Sequence, residues 1–370
     1  MATSLAIFDD LEAAARDAGD RLGREAQPSL FDRIDWFRLV QEHTPEGEPR
    51  VIRVHNGVAS CWLFLSARGR YAESLTNWYG LRYGPVVSGP RDRAPLGELA
   101  RGLRKAGISH IFLEPTEEDE RIAAELRRKG WLTARGRVNV NWRIETRGMS
   151  FEEYWATRSA KLRNTTARRA KKAKLDIVIH DRFDAAAWED YVSVYEASWK
   201  PAEGAPEMLR RIAEQEGEAG TLRLGLAYRE GKAVAAQLWL VETGMATIHK
   251  LAYREDARDF SPGTVLSRDM FQRALDVDKV DVIDFGVGND AYKAEWMSEC
   301  RPLYGITAYD MLSLSGLWGI AKAAGARLVG RLTGQSGERA LPPRRRPERA
   351  AVETPAEAPE ETREPALAAA

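Results

Sequence analysis

Three short stretches in the second half of the chain carry residue types that can do chemistry at useful spacing. The first is Ile248-His249-Lys250-Leu251-Ala252-Tyr253, followed after a charged loop by Phe260-Ser261-Pro262-Gly263-Thr264. An apolar strand there gives way to a helix with favourable start chemistry, because serine is a preferred N-cap and proline fits the first helical position. Gly263 presents no side chain to an approaching group, and the free N–H groups of such a start can hold a phosphate. The plainer reading is a well-started helix. His249 can serve as a general base, since imidazole titrates near working pH, or it can be a structural strand histidine. The third stretch runs from Asp284-Phe285-Gly286-Val287-Gly288 to Tyr292-Lys293-Ala294-Glu295-Trp296. Asp284 there is a candidate base or orienting carboxylate, with a backbone-capping role as its alternative. Tyr292 and Lys293 can offer a proton or a positive charge, or form an ordinary helix face. Gly286 and Gly288 lack the third glycine of a dinucleotide fingerprint.

Several mechanisms lose support from what is missing. The sequence has no HExxH, Walker A or serine–histidine–aspartate spacing, and Cys61 and Cys300 have no metal-ligand spacing. No metal is therefore expected. The 370 residues hold 55 Lys+Arg against 55 Asp+Glu, which argues against a general nucleic-acid binder. The start Met1-Ala2-Thr3-Ser4-Leu5 carries no signal-peptide pattern, and no apolar run is long enough to span a bilayer. The expected location is the cytoplasm.

These residues must be positioned by a mixed sheet. Asn56-Gly57 lies between two strand-like runs, as does Glu230-Gly231, and Thr243-Gly244 precedes a further strand at 246–253. Behind the first hairpin the pattern predicts a strand near 78–87, a helix near 96–105, a strand from 108, a helix near 120–129 and a strand over 131–144. Behind the second it predicts a helix over 263–277, a strand over 280–285, a short helix near 292–297 and a strand over 303–312. The same order occurs twice, which implies an α/β mixed sheet with helices on its faces. Between the halves, Ser150-Phe151-Glu152-Glu153 fits a capping box opening one helix that continues into the run 158–174. That run has eight Lys/Arg and no acid. Residues 184–199 read as a further helix. The first twenty residues suggest only a short amphipathic helix, and the proline-rich stretch 335–370 reads as disordered. The expected divisions are 1–24, 25–148, 149–312, an amphipathic helix at 313–334, and the tail.

Taken together, the run Trp155-x-x-Arg158-Ser159-x-Lys161-Leu162-Arg163, the stretch from Trp188 to Trp199-Lys200-Pro201, and the three stretches above resemble the GNAT acyltransferase superfamily, in its FemAB-related branch with two fused GNAT-type halves. The resemblance covers about 25–312 and is strongest over 150–305. It implies acyl transfer from coenzyme A, a co-substrate, to an amine, without a covalent enzyme intermediate. The pantetheine would lie beside a splayed strand at Lys250 and Leu251, with the pyrophosphate at Ser261, Pro262, Gly263 and Thr264. The usual Arg/Gln-x-x-Gly-x-Gly/Ala pyrophosphate signature is absent, and Ser-Pro-Gly stands in its place. His249 or Asp284 would be the base, and Tyr292 or Lys293 would steady the leaving thiolate or the oxyanion.

Two acceptors fit that resemblance: an amino sugar of an envelope polysaccharide, or a sphingoid-type base taking a long acyl chain, as in a bacterial ceramide synthase. The segment containing Trp78, Tyr79 and Tyr83, with Trp199, Lys200 and Trp296, resembles substrate-binding parts of GNAT proteins from sphingolipid-making bacteria. A helix over 314–332 places Leu314, Leu317, Trp318 and Ala321 at helical spacing with Lys322 on its flank, as in an interfacial helix. The lipid reading therefore adds an anionic inner-membrane surface as partner. A non-catalytic GNAT-derived binding protein, and a donor that is aminoacyl-tRNA as in some FemAB relatives, are the remaining alternatives.

Overall fold

The computed structural model describes residues 3–332, with side chains through Gly325. The disordered tail expected at 335–370 lies outside these residues. The strands are β1 Ser4–Phe8, β2 Glu48–His55, β3 Ser60–Arg68, β4 Tyr71–Ser74, β5 Val86–Ser88, β6 His110–Thr116, β7 Trp131–Glu145, β8 Asp176–His180, β9 Leu222–Arg229, β10 Lys232–Glu242, β11 Met245–Tyr253, β12 Val282–Val287 and β13 Glu299–Asp310. The helices are α1 Leu11–Ala18, α2 Ile34–His43, α3 Leu96–Lys105, α4 Asp119–Arg128, α5 Phe151–Ala156, α6 Ala160–Ala173, α7 Ala185–Glu196, α8 Pro206–Glu218, α9 Pro262–Gln272, α10 Lys293–Trp296 and α11 Leu314–Leu332.

The turn chemistry works as the sequence suggests. Glu230 and Gly231 both take positive φ between β9 and β10, as do Thr243 and Gly244 between β10 and β11. Such turns match the twist of paired strands. Asn56 closes the first hairpin differently: its side-chain oxygen accepts from the N–H groups of Val58 and Ala59, so the loop spans 56–59. After each hairpin a helix carries the chain to a parallel partner, β4 to β6 and β11 to β12. This is the repeated order expected, a mixed sheet flanked by helices.

The two halves share one continuous thirteen-stranded sheet. Its order is β1-β2-β3-β4-β6-β13-β7-β12-β11-β10-β9-β8, with β5 on β3. The last strand of each half has crossed over: β7 pairs with β12, and β13 pairs with β6, while β7 and β13 pair with each other along their length. Neither strand could fill this place without the other.

Four charges tie the halves from the side. Arg24 and Arg33 of the first half meet Glu216 at the end of α8 and Glu242 at the end of β10. Arg24 Nη2 lies 2.6 Å from Glu216 and its Nη1 3.0 Å from Glu242. Arg33 reaches both carboxylates, and its Nε donates to the Gln27 carbonyl at 3.0 Å. Burial opposes charge on Glu216, yet bonds from Arg24 and Thr221 hold its carboxyl below the usual range. Burial, and then Glu216, hold Glu242 above it.

Local corrections have physical reasons. The N-terminus is not only a helix: Ser4–Phe8 adds an edge strand to β2. The stretch 75–85 is a loop rather than a strand near 78–87, and only Val86–Ser88 is extended and paired. The capping box at Ser150 forms, but its helix ends at Ala156. Ser159 then caps a separate α6, its side chain accepting from the Leu162 N–H. The sequence reading passed over β4, β8 and α8, which are short or polar enough to mask their periodicity.

Candidate active site

Parallel strands β11 and β12 pair only from Met245–Thr247 to Val282–Asp284 and then part. Two features hold them apart. Gly286, at φ +69, turns β12 away so closely that a Cβ there would sit 3.3 Å from the Ile248 carbonyl oxygen. On the other side, the register between β10 and β11 slips, with Leu238 opposite Lys250 and Trp239 opposite Ile248. His249 is the extra residue of this bulge and stands outside the ladder.

His249 is pinned at one nitrogen only. Its Nε2 lies 3.2 Å from the Tyr79 carbonyl oxygen, which fixes the proton on Nε2, while Nδ1 is buried with no partner. Burial, with Lys250 adjacent, brings the imidazole down to about 4. It is a neutral ring with one free lone pair. Lys250 turns to Glu203, its Nζ at 2.9 Å from the carboxylate and 4.4 Å above the Tyr79 ring. Tyr79 donates its hydroxyl to Glu203 at 2.6 Å. Burial opposes charge on Glu203, but Lys250 and Tyr79 outweigh it and its carboxyl sits below the usual range. Lys200 stands beside these groups without a carboxylate contact, and burial plus the Lys250 charge lower its ammonium to about 8.

The β12 side is more fully committed. One Asp284 oxygen accepts from Asn141 Nδ2 at 2.8 Å and the other from the Gly286 N–H at 2.7 Å. Burial raises its carboxyl despite those bonds. Lys293 is buried, donates to the Val287 carbonyl at 2.9 Å and lies 3.5 Å from Asp290. Tyr292 sits edge-on to Phe285 with its ring exposed.

The start of α9 differs from the expectation in one detail. Ser261 sits at the N-cap position with φ +50, and its side chain makes no cap bond. Pro262 is at the helix start as expected. Gly263 is crowded by Tyr253 rather than open: a Cβ would lie 3.2 Å from the ring. Leu251 packs into the same core as Tyr253. Helix α6 packs against α9 and the turn Glu255–Phe260 that precedes it. Lys161, Arg163, Arg168, Arg169, Lys171, Lys172 and Lys174 make no ion pair among the described residues. Arg163 Nε is buried and unpartnered. A cleft of about 400 Å³ opens where α5 breaks from α6, lined by Arg158, Ser159, Glu295 and Ser298 among others.

The structure sorts the remaining candidates. Trp78 and Tyr79 stand at the splay, with Trp78 covering Gly204. Trp199 is partly exposed and lies 4.3 Å from the Tyr253 ring. Two expected substrate contacts are core residues instead. Tyr83 is buried with its hydroxyl on the Phe64 carbonyl, and Trp296 is buried between Trp155 and Phe271. Sequence reasoning missed Glu203, Asn141 and the special place of Arg163. Proximity to Trp199-Lys200-Pro201 was the one signal that could have found Glu203; Asn141 is brought in only by the crossed strand β7.

Residues 157–294 match the family model described as acetyltransferase (GNAT) domain. The matched stretch begins at the α5–α6 break and includes the bulge, the splay and α9. Among solved structures, the C-terminal domain of a putative lysylphosphatidylglycerol synthetase from Agrobacterium fabrum is similar, with TM-score 0.54 and 13% identity over 80% of this chain and 92% of that one. FemX gives TM-score 0.53 and 12% identity over 75% and 95%. L-PGS from Bacillus licheniformis gives 0.51 and 14% over 88% and 97%. At these identities the likeness is one of fold. No curated protein matches the chain. Among the described residues no group of acids, histidines or cysteines is placed to hold a metal ion, and no helix is long and apolar enough to cross a membrane.

The burial of two histidine rings has a consequence for acid stability. His249 and His110, which lies half-buried against Tyr309, are both brought by burial from 6.5 to about 4. A folded state that refuses a proton loses stability as pH falls. Their contribution is complete above 6.5 and is lost between that value and about 4, by at most about 1.4 kcal/mol per pH unit for each ring. Urea unfolding at stepped pH should show this slope, and His110→Asn should flatten it. A midpoint constant across that interval would contradict the reading.

Proposed function

We propose that the protein transfers an acyl group directly from a coenzyme A thioester to a primary amine, and that the pair is a long-chain acyl group and a sphingoid-type base, making it a bacterial ceramide synthase. The observation that carries the chemistry is the bulged strand beside the splay, where His249 offers a buried, unpartnered lone pair. Of the two candidate bases, His249 is favoured, because both oxygens of Asp284 are spent holding Asn141 and the Gly286 turn.

The roles follow from what each group has free. The amine enters neutral and its nitrogen bonds to the thioester carbon. The bulge leaves a strand N–H outside the ladder, which can donate to the developing oxyanion. Nδ1 of His249 accepts the proton that the new C–N bond makes acidic. The C–S bond breaks, and a proton returns to the thiolate, steadied by Lys293 or Tyr292. The products are an amide and a free thiol, with no net proton change. Trp78, Trp199 and Lys200 are assigned to the acceptor side.

Phosphates fit the α6–α9 corner. Pro262 has no N–H, and Thr264 and Val265 donate to the Ser261 carbonyl, so the Gly263 N–H is the one left for an anion at the α9 start. Helix α9 packs against a helix of cations without ion pairs among the described residues, and the buried Arg163 Nε lacks an acceptor. Arg163→Ala is expected to raise KM for acyl-CoA about tenfold or more with kcat little changed. Equal effects on both constants would remove Arg163 from the phosphate site.

The lysylphosphatidylglycerol named for one structural neighbour is a lipid, which accords with a lipid acceptor. The test supplies acetyl-CoA and long-chain acyl-CoAs with sphingoid bases and amino sugars and follows thiol release. Turnover confined to long donors with a sphingoid base supports the proposal. Acetyl transfer to amino sugars replaces it, and no thiol release with any pair overturns the coenzyme A reading in favour of an aminoacyl-tRNA donor or a non-catalytic role.

A further inference from the structure

Helix α11 is mounted inside out. It meets β13 through glycine: a Cβ on Gly316 would lie 2.0 Å from the Asp310 carbonyl oxygen, and one on Gly319 would lie 2.7 Å from the Tyr309 ring. Three of its large apolar side chains point the other way, with Leu314 87%, Leu317 49% and Trp318 64% exposed. Leu312, just before the helix, is 75% exposed. A helix packed for its own stability turns such residues inward. Leu132 extends the patch. It pairs with Tyr309 across β7 and β13, so it shares the sheet face on which α11 rests, and it too is exposed.

We propose that this outward face docks on an anionic phospholipid bilayer. Charge chooses that occupant. The segment Leu314–Leu332 contains Lys322, Arg327 and Arg331 and no acidic residue. Lys322 Nζ lies 5.5 Å over the Trp318 ring, an indole and an ammonium paired at the rim of an apolar patch. Aromatic rings and basic side chains combine in this way where a helix lies in the headgroup layer. The chain's own tail is a poor cover, because residues 333–370 hold only Leu341, Val352 and Leu367 as large apolar side chains and no aromatic. The docking surface lies at the Asp310 end of β13, whereas the splay lies near its Glu299 end, so it can be tested apart from catalysis.

The test sediments the full chain with phosphatidylcholine vesicles, with and without phosphatidylglycerol. The protein should pellet with the anionic vesicles, largely stay in solution with the neutral ones, and be released by salt. Changing Leu314, Leu317 and Trp318 together to serine should cut the bound fraction about tenfold, with circular dichroism and vesicle-free thiol release unchanged. Equal pelleting of the triple variant, or no pelleting of the unaltered protein, overturns the proposal. A dimer of the unaltered protein that the triple variant dissociates would assign the face to a second copy instead. Loss of thiol release in the unaltered protein, with vesicle binding intact, would count against the proposed reaction and leave the docking surface standing.

Discussion

His249→Gln is expected to lower kcat by about two to four orders of magnitude, with KM for acyl-CoA within a few-fold of the unaltered protein. The amide keeps much of the ring's volume and can still donate to the Tyr79 carbonyl, so the strand and its bulge should survive. What it cannot do is accept and return a proton. Because burial holds the imidazole near 4, the base is already free at neutral pH. The rise of activity with pH in the neutral to alkaline range should therefore follow the acceptor's own ammonium, and the residue's own limb should appear only below about 5. Stopped-flow thiol release across pH, for both proteins, reads these quantities. A variant whose only defect is weaker binding of acyl-CoA would assign His249 to positioning the donor.

The largest expected loss of stability comes from Arg33→Met. Its guanidinium is buried, and it reaches across the junction of the halves to two carboxylates of the second half. Removing it leaves Glu242 and Glu216 to share Arg24 alone, and breaking a buried ion network in this way costs about 3–5 kcal/mol. For a chain of this size the melting temperature should fall by about 10 °C. Adding Glu242→Gln should restore part of the loss, since the neutral amide no longer needs a buried cation. If the single change is silent, the network is not what holds the halves together.

Much of the second half could be read from the chain because its signals are local. Turn dipeptides at Glu230 and Thr243 set the hairpins, and Pro262 set the start of α9. The site was harder, because its decisive features are relations between distant segments. The bulge at His249 is a slip in register against β10, which no single strand displays. Glu203 gains its role from Tyr79 and Lys250, and Asn141 reaches Asp284 only because β7 has crossed into the other half. Trp296 is a substrate contact only by resemblance, and a four-residue helix turns it into the core. The first half was read less well where a short strand, β4, and a long aromatic loop interrupt the pattern.

The crossing of β7 and β13 also governs how the molecule can be made. During synthesis the first half emerges with a gap in its sheet that only residues 299–310 can fill. The ribosome must therefore release most of the chain before either half is complete, and the nascent first half waits with β6 and β7 unjoined. Splitting the gene after residue 148 would give two polypeptides that each lack a strand, and co-expression, rather than separate refolding, should be the way to recover both.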